Sequence, residues 1–373
     1  MNIESIKKLD KFFGTLLVVK LGIIGKIFRR KPKKIKKILV IMFWGIGSNI
    51  NSIPIVRELK RNFGDAKVDV LAPRKNKDVF YGNNNIDNLV YVDLSLLGLF
   101  KTVFKIWGKY DVVIDTEHWL NVSAILSFFA GKERIGFCNR TRNLIYTQSV
   151  EFDKKKHAVD NNFALLNLLN IKAKDKSLDK IGYSSESEDE VHHFLLDNSI
   201  DEKKDFVVGI CAGSGGTVKE RRWPAERFAV IADELVEKKK AKVIFVGSPD
   251  EKELVEHIQS LMKNQSYNNI GMSLGGTIAL IEKCKLFISN DTGPMHIAAA
   301  QDVPLVGLFG PETPEIFGPY SKKSVSLFKK IECSPCIKIY RGRHIKCINN
   351  HKCMQLITLD EVKDAIETVL KLR

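Results

Sequence analysis

The chain has 373 residues, a length typical of about two domains. Hydrophobic residues make up 44% and charged residues 28% of it, a globular composition that excludes a mainly disordered or collagen-like chain. The formal net charge is +15, but residues 1–37 alone hold twelve Lys or Arg and only two acids, so the rest is mildly basic and nucleic acid is not an expected partner.

The first 36 residues, 1–36, form a basic and apolar segment that we treat apart from the body of the protein. Residues 12–28 are apolar, but Lys20 and Lys26 interrupt them and the polybasic stretch 29–37 follows. The run is shorter than the roughly 20 residues of a spanning helix, and buried lysines would make insertion costly. No signal-peptide cleavage pattern follows. We expect the segment to lie on an anionic membrane surface; the alternatives are a solvated tail with a helix packed on the body, and a spanning helix.

Strands and helices alternate through the rest of the chain. Short apolar, β-branched runs predict buried strands, and apolar residues at helical spacing predict helices. In the first half we expect strands at 36–42, 67–73 and 110–116 and helices at 50–63 and 157–171. A polar stretch at 172–205, with one helix at 188–196, marks the join between domains. In the second half we expect strands at 206–213, 242–248, 285–290 and 303–310 and helices at 225–240, 252–262, 277–284, 294–301 and 360–373.

This alternation is typical of parallel, doubly wound α/β structure. We predict two Rossmann-like halves with a cleft between them, with residues 37–180 as the first domain and residues 181–373 as the second. In open α/β sheets, ligands bind outside the carboxyl ends of the strands. The loops that follow the predicted strands are therefore the places where chemistry is expected.

The segment SNDTGPMHIAAA at 289–300 joins a strand to a helix. Backbone N–H groups of Thr292 and Gly293, followed by Pro294 at a favoured first helical position, would point at one spot. The helix dipole adds partial positive charge there, which suits a diphosphate. The alternative is an ordinary strand–helix turn that Asp291 caps.

A second glycine-rich loop, GSGGTVKERRWP at 213–224, also follows a predicted strand. Its glycines and Ser214 offer backbone and hydroxyl donors, and Lys219, Arg221 and Arg222 offer positive charge. It is not a P-loop, because no Gly-Lys-Ser/Thr stands at the required spacing. The alternative is a flexible basic loop.

The segment WGIGSN at 44–49 lacks the third glycine of a dinucleotide fingerprint, which argues against a Rossmann-type oxidoreductase.

Three segments together resemble glycosyltransferase family 9, the heptosyltransferases that build the lipopolysaccharide inner core. They are GIGSNINSIPIVRELK at 45–60, GSGGTVKERRWPAERFA at 213–229 and NDTGPMHIAAAQDVPLVGLFGPETP at 290–314. KERIGF at 132–137 and the cysteine-containing tail also look like the family. The resemblance implies a GT-B fold of two facing Rossmann-like domains, in which the C-terminal half binds a nucleotide-sugar and the N-terminal half binds the acceptor.

The resemblance also implies a donor site and an inverting transfer that uses a nucleotide-sugar, usually ADP-heptose. Carried over to this sequence, the residues around the donor diphosphate are Asp291, Thr292, Gly293, Pro294, Met295 and His296, with the Ser214 hydroxyl. Where the family commonly has a lysine, this chain has Arg221, with Lys219 nearby. Either cation can neutralise charge on the leaving diphosphate, and Arg does so as a bidentate fork.

The chain departs from the family at the expected catalytic base. The family usually carries Asp directly after the second glycine of the first motif, where this chain has Ser48. Inverting transfer needs a group that accepts the acceptor's proton. Asp115, Glu117 and His118, at the end of a predicted strand, could reach the cleft, and we favour Glu117 or Asp115. The alternatives are that Asp115 is a structural turn residue and that Glu117 and His118 lie on the surface.

Four cysteines cluster near the C-terminus as Cys333-x2-Cys336-x10-Cys347-x5-Cys353, with His344 and His351 between them. One CxxC pair is half of a zinc motif and the second spacing is loose. We weigh structural zinc against reduced thiols or disulfides and favour the latter. No metal and no cofactor is expected in catalysis.

The sequence thus predicts a membrane-associated GT-B glycosyltransferase. It would transfer a sugar such as heptose from a nucleoside-diphosphate donor to a lipopolysaccharide-type or other glycolipid acceptor. The expected location is the cytoplasmic, inner face of the plasma membrane. The alternative is a non-catalytic relative that binds a nucleotide-sugar or glycan, which the serine at position 48 favours.

Overall fold

The computed structural model describes residues 10–27, 32–139, 141–215, 218–338 and 346–372. The protein is an α/β protein whose chain forms two compact units, and the division falls between Lys176 and Ser177. The sequence analysis placed the boundary after residue 180. The functional division between the two halves stays a prediction.

The first unit contains a parallel six-stranded sheet of order β3-β2-β1-β4-β5-β6. Its strands are β1 Lys37–Ile41, β2 Lys67–Pro73, β3 Asn88–Val92, β4 Tyr110–Asp115, β5 Gly131–Cys138 and β6 Gln148–Glu151. Its helices are α1 Thr15–Ile27, α2 Ile46–Asn62, α3 Leu96–Ile106, α4 Asn121–Ala130 and α5 Ala158–Asn167. Central strands such as β1 are almost wholly buried because helices cover both faces, which explains their continuous apolar sequence.

The N-terminal helix α1 packs on the body of the first unit. A π-helical turn, Asp10–Gly14, precedes it. The Asp10 carboxylate accepts hydrogen bonds from the backbone N–H groups of Asn121 (3.0 Å) and Val122 (2.8 Å) and so caps α4. Val18 is buried in a small cluster with residues of α4. Within the described part of the chain, no helix is both long and apolar enough to cross a bilayer.

The second unit contains another parallel six-stranded sheet, of order β12-β11-β10-β7-β8-β9. Its strands are β7 Phe206–Cys211, β8 Ala241–Gly247, β9 Tyr267–Ile270, β10 Leu286–Asn290, β11 Leu305–Phe309 and β12 Ser324–Phe328. Its helices are α6 Ser185–Asp197, α7 Ala225–Lys239, α8 Lys252–Leu261, α9 Leu274–Lys283, α10 Gly293–Ala300, α11 Pro314–Phe317, α12 Lys352–Gln355 and α13 Leu359–Lys371. One face of this sheet carries a large apolar core that includes Trp223, Phe228 and Ile366.

Candidate functional site

Each sheet has one switch point, where the order of the strands along the chain reverses. In the first unit it lies between β1 and β4, and in the second unit between β7 and β10. Crossover helices leave in opposite directions on either side of such a point, so a crevice opens outside the carboxyl ends of the two strands. Every motif that the sequence analysis singled out for binding or catalysis follows one of these four strands.

Asn290, the last residue of β10, ties together the segments around the second switch point. Its side chain is fully buried. Nδ2 donates to the carbonyl oxygen of Ala212 at 2.7 Å, and Oδ1 accepts from the backbone N–H of Trp223 at 3.1 Å. The glycine-rich loop after β7 and the start of α7 are therefore fixed to the end of β10.

An ion pair joins the two predicted binding segments. Arg221 Nε lies 3.2 Å from Asp291 Oδ2, and its Nη1 donates to the backbone oxygen of Asp291 at 3.1 Å. Both side chains are largely buried. Burial raises the pKa of the Asp291 carboxyl, and the positive charge of Arg221 opposes that rise. The pair holds the guanidinium beside the start of α10. The N-terminus of this helix carries a partial positive charge, so two positive groups lie side by side.

Glu251 holds the glycine-rich loop in shape, a role that the sequence analysis missed. Its carboxylate accepts from the backbone N–H groups of Ser214 (2.6 Å), Gly215 (2.9 Å) and Ser248 (3.0 Å). A Cβ at Gly213 would stand 1.9 Å from Glu251 Oε1, so this carboxylate needs glycine there. The Ser-x-x-Glu spacing of a capping box, which Ser248 and Glu251 form, was the available signal.

The start of α10 presents its backbone to the switch point. Thr292 is extended and is the residue before the helix, and its side chain makes no capping hydrogen bond. Thr292, Gly293 and Pro294 are half-buried. Met295 and His296, by contrast, are buried at 0% and 6% exposure. The helix N-terminus therefore offers backbone N–H groups and the Thr292 hydroxyl.

The remaining predicted donor residues differ in their exposure. Lys219 is exposed in a short 3-10 turn, Lys219–Arg221. Ser214 is buried at 6% exposure, and its hydroxyl accepts from Arg222 Nε at 3.3 Å. Arg222, the third cation predicted in this loop, therefore contacts Ser214. The second switch point gathers hydroxyl, backbone and guanidinium donors, a set suited to phosphate oxygens.

Glu117 occupies the first switch point. Its Oε1 accepts from the backbone N–H groups of Phe43 (2.6 Å) and Trp44 (2.8 Å), which form the turn after β1. Its exposure is 5%, so the alternative of a surface position is wrong. Burial and the nearby Asp115 charge raise the pKa of Glu117 to about 7. The hydrogen bonds from the backbone N–H groups of Trp44 and Phe43 favour the charged carboxylate and so oppose this rise.

Asp115 is the centre of a buried polar cluster beneath Glu117. Its Oδ2 accepts from Arg142 Nη2 (2.8 Å) and from the Tyr146 hydroxyl (2.7 Å), and its Oδ1 accepts from the backbone N–H of Glu117 (3.0 Å). Asp115 is fully buried and Arg142 is 1% exposed. Arg142, which the sequence analysis also missed, neutralises Asp115 and donates to the Glu117 carbonyl. Asp115 therefore positions Glu117.

Ser48 and His118 complete the residues considered at this switch point. Ser48 lies half-buried in the first turn of α2, after an open turn at Gly45 where a Cβ would meet nothing within 4 Å. His118 packs between the rings of Phe137 (5.0 Å) and Phe152 (4.4 Å). Burial lowers the pKa of His118 to about 3, so its imidazole is neutral at physiological pH.

The C-terminal cysteines carry free thiols. These are Cys333, Cys336, Cys347 and Cys353. Burial raises the pKa of Cys353 to about 11, so this thiol is protonated at neutral pH. No group of three or more His, Cys, Asp or Glu side chains arranged to hold a metal ion is found among the described residues. His344 lies outside them.

Two Rossmann-like units, each with polar groups at its switch point, define the GT-B class of fold. The chain belongs to glycosyltransferase family 9 (heptosyltransferase): the sequence profile of that family matches residues 101–344. The resemblance drawn from the motifs is thereby confirmed, and the protein is a glycosyltransferase.

Relatives and solved structures agree with this assignment. The chain is 25% identical to the lipooligosaccharide heptosyltransferase 2 of Campylobacter jejuni over 342 residues, 90% of this chain and 98% of the relative. A glycosyltransferase family 9 structure from Veillonella parvula superposes with a TM-score of 0.79 and 28% identity, covering 92% of this chain and 100% of the other. The ADP-heptose lipopolysaccharide heptosyltransferase II of E. coli has the same fold, with a TM-score of 0.70, 22% identity and coverage of 90% and 99%.

Proposed function

We propose that this protein is an inverting glycosyltransferase that transfers heptose from ADP-heptose to a lipopolysaccharide-type glycolipid. The observation that carries the proposal is the set of donors at the second switch point. There Arg221 pairs with Asp291, two residues before α10, and Glu251 holds the backbone of Ser214 in the same glycine-rich loop as Arg221. The heptosyltransferase relatives support the sugar, and the name of the E. coli enzyme supports the nucleotide.

The donor diphosphate would bind at this second switch point. Backbone N–H groups at Thr292 and Gly293 would hold phosphate oxygens, with the Ser214 hydroxyl as a further donor. Arg221 is already fixed by Asp291, so its guanidinium loses little further freedom when a diphosphate binds. Lys219 and His296 belong to the same proposed site, with Lys219 as the exposed cation. Met295, wholly buried, would support the helix from behind.

The reaction would be a single displacement at the anomeric carbon. The acceptor hydroxyl oxygen forms a bond to that carbon while the bond to the diphosphate oxygen breaks, and ADP leaves with the electron pair. Inversion follows because the nucleophile attacks from the face opposite the leaving group. Arg221 and the N-terminus of α10 would neutralise the charge that grows on the leaving diphosphate.

We assign the general base to Glu117 in preference to Asp115. Both oxygens of Asp115 are engaged by Arg142, Tyr146 and the backbone of Glu117 itself. Glu117 has a pKa of about 7, which suits a base that works near neutral pH. Ser48, in the place of the family's aspartate, would orient the acceptor hydroxyl without taking its proton. The first unit would thus bind the acceptor.

A glycolipid acceptor would bring the enzyme to a membrane. The basic N-terminal segment supports this location, since polybasic stretches are attracted to anionic leaflets. We place the enzyme peripherally at the inner face of the plasma membrane.

Calorimetric titration with ADP, UDP, GDP and NAD tests the donor site. We expect ADP to bind, and Arg221→Ala to weaken binding by about tenfold or more, since a charge-assisted contact is worth about 1.5–3 kcal/mol. The matched control is Lys204→Ala, which removes an exposed cation paired with Asp201 elsewhere in the second unit. Absence of ADP binding by the wild type, or equal weakening by both variants, would overturn the donor site.

A further inference from the structure

Helix α3 turns an apolar face to solvent. Its opposite side, with Gly98, Thr102 and Ile106, packs on the first unit. The large apolar side chains exposed on α3 and directly after it are Leu96 (73%), Leu97 (76%), Phe100 (64%), Phe104 (75%) and Trp107 (58%). At 100° per residue these five form one stripe along the helix. Soluble monomers rarely expose an apolar stripe of this size, which marks it as an interaction surface.

A second apolar face borders the same part of the unit. Helix α4 packs against both α1 and α3. On the outer side of α1 and of the turn before it, the exposed apolar residues are Phe12 (65%), Phe13 (62%), Leu16 (52%), Leu17 (42%), Ile23 (60%) and Ile24 (44%). Two exposed apolar faces therefore flank α4.

Positive charge runs along one edge of the stripe. Lys101 and Lys105 follow the apolar residues around α3 and, with Arg74 and Lys75, line a cavity of about 620 Å³. The cavity lies at the carboxyl ends of β2 and β3, and Asp93 is the acid among its lining residues. Four cations against one carboxylate leave a net positive charge, so the cavity suits an anionic group.

We propose that α3 and the outer side of α1 form a docking surface for an anionic lipid bilayer. The apolar side chains enter the boundary between headgroups and acyl chains, and the cavity bordered by Lys101 and Lys105 receives lipid phosphate. A helix with aromatic residues and leucines on one face and lysines at its edge is typical of an interfacial helix. Trp107 at the end of the stripe has the amphipathic ring favoured at that depth.

Charge argues against a second copy of this chain as the occupant. Pairing two such surfaces about a twofold axis would bring Lys101 and Lys105 of both copies into one interface, where like charges repel. An anionic leaflet supplies the opposite charge instead. The inference rests on the proposed function in one respect: a membrane-borne acceptor explains why the acceptor unit carries this surface.

Vesicle co-sedimentation of the full chain tests the surface. We expect binding to phosphatidylglycerol vesicles to exceed binding to phosphatidylcholine vesicles. Phe100→Ser with Phe104→Ser should lower the partition coefficient by about tenfold or more, because two phenyl groups no longer leave water. Lys101→Glu with Lys105→Glu should reduce the preference for anionic vesicles, while the polybasic stretch 29–37 is unchanged in this variant. The matched control, Leu196→Ser, alters a leucine that is 59% exposed in the second unit and should bind as the wild type does.

Tryptophan fluorescence reports whether the stripe itself enters the bilayer. Of the four tryptophans, Trp119 and Trp223 are buried and Trp44 is half-buried against Trp119, whereas Trp107 is 58% exposed. Anionic vesicles should shift the emission to shorter wavelength, and Trp107→Phe should bind vesicles but lose most of that shift. A shift that persists in Trp107→Phe would overturn the proposed orientation.

The remaining outcomes separate this surface from the proposed function. Unchanged vesicle binding by the Phe100/Phe104 variant with a native circular dichroism spectrum would overturn the docking surface. Concentration-dependent dimers of the wild type that the same variant abolishes would assign the surface to a second copy and also overturn it. Failure of ADP to bind the wild type would instead count against the proposed function, because the ADP titration does not involve α3.

Discussion

At the scale of single residues, the two switch points depend on buried polar side chains that bind backbone. Asn290 and Glu251 fix the loop after β7, and Glu117 fixes the turn after β1. The hydrogen-bond partners of such side chains come from distant parts of the sequence. A sequence motif can therefore identify a loop but not the side chain that holds the loop in place. The motif at 289–300 pointed to the second site because its strand, glycine and helix start are contiguous. Glu251 and Arg142 come from other segments; the capping-box spacing of Glu251 signals a helix start and not its contact with the loop, and Arg142 belongs to no motif.

The raised pKa of Glu117 predicts a pH dependence of stability. The folded protein holds the proton up to about pH 7, whereas the unfolded chain loses it near the ordinary value of 4.5. Between these values folding takes up a proton, so the contribution of Glu117 to stability falls as pH rises. Relative to Glu117→Gln, the wild type should lose up to about 3 kcal/mol from about pH 5 to about pH 8, measured by urea unfolding.

Glu117→Gln keeps an acceptor oxygen for the N–H groups of Phe43 and Trp44, so the turn should survive. If Glu117 is the base, the wild type's kcat/KM should also rise with pH through about 7, and the variant should be inactive at every pH. A stability difference that does not change with pH would contradict the buried, protonated carboxyl.

At the scale of elements, seven of the eight inner strands in the described part of the chain were predicted, whereas β5 and the edge strands were not. The predicted strands at 36–42, 110–116 and 206–213 correspond to β1, β4 and β7, which lie inside their sheets. The outer strands β6 and β12 are half-exposed along their length, so their sequences lack a continuous apolar run. Helix α3 was not predicted, although its apolar residues recur at helical spacing; they form the solvent face, and the packed face carries Gly98 and Thr102.

The cap that Asp10 provides for α4 predicts how firmly the N-terminal segment is held. Asp10→Ala should destabilise the protein by about 1 kcal/mol, a typical loss for a helix cap. Because Asp10 also links α1 to α4, limited proteolysis within the first 27 residues should become faster. Asp364→Ala, which removes an exposed carboxylate from the middle of α13, is the control and should leave the cleavage rate unchanged. Equal rates for Asp10→Ala and wild type would show that the cap does not hold the segment.

At the scale of the whole molecule, the repeated strand order is the main feature. Both sheets follow the same sequence of crossovers, and each unit has its own apolar core. The alternation of strands and helices was sufficient to predict this architecture. The N-terminal segment was harder, since a helix that is apolar on both sides can pack on the body and still present an outer apolar face, as α1 does.

Separate cores predict that a donor nucleotide stabilises the two units unequally. Scanning calorimetry should show two unfolding transitions, because multidomain chains depart from two-state behaviour. Saturating ADP should raise the midpoint of one transition, and by linkage the shift should grow with ADP concentration. At the same ADP concentration the shift should be smaller in Arg221→Ala and unchanged in Lys204→Ala. Equal shifts of both transitions would count against a donor site carried by the second unit alone.

The contact between Gly213 and Glu251 has a consequence for mutational tolerance. In a saturation library, position 213 should accept glycine alone, since any Cβ would collide with a carboxylate that three backbone N–H groups hold in place. Gly215, two residues on, has open space around it but a φ of +68°, so Asn and Asp should survive there where β-branched residues fail. Two neighbouring glycines would thus show different patterns of accepted residues, one set by space and the other by backbone conformation.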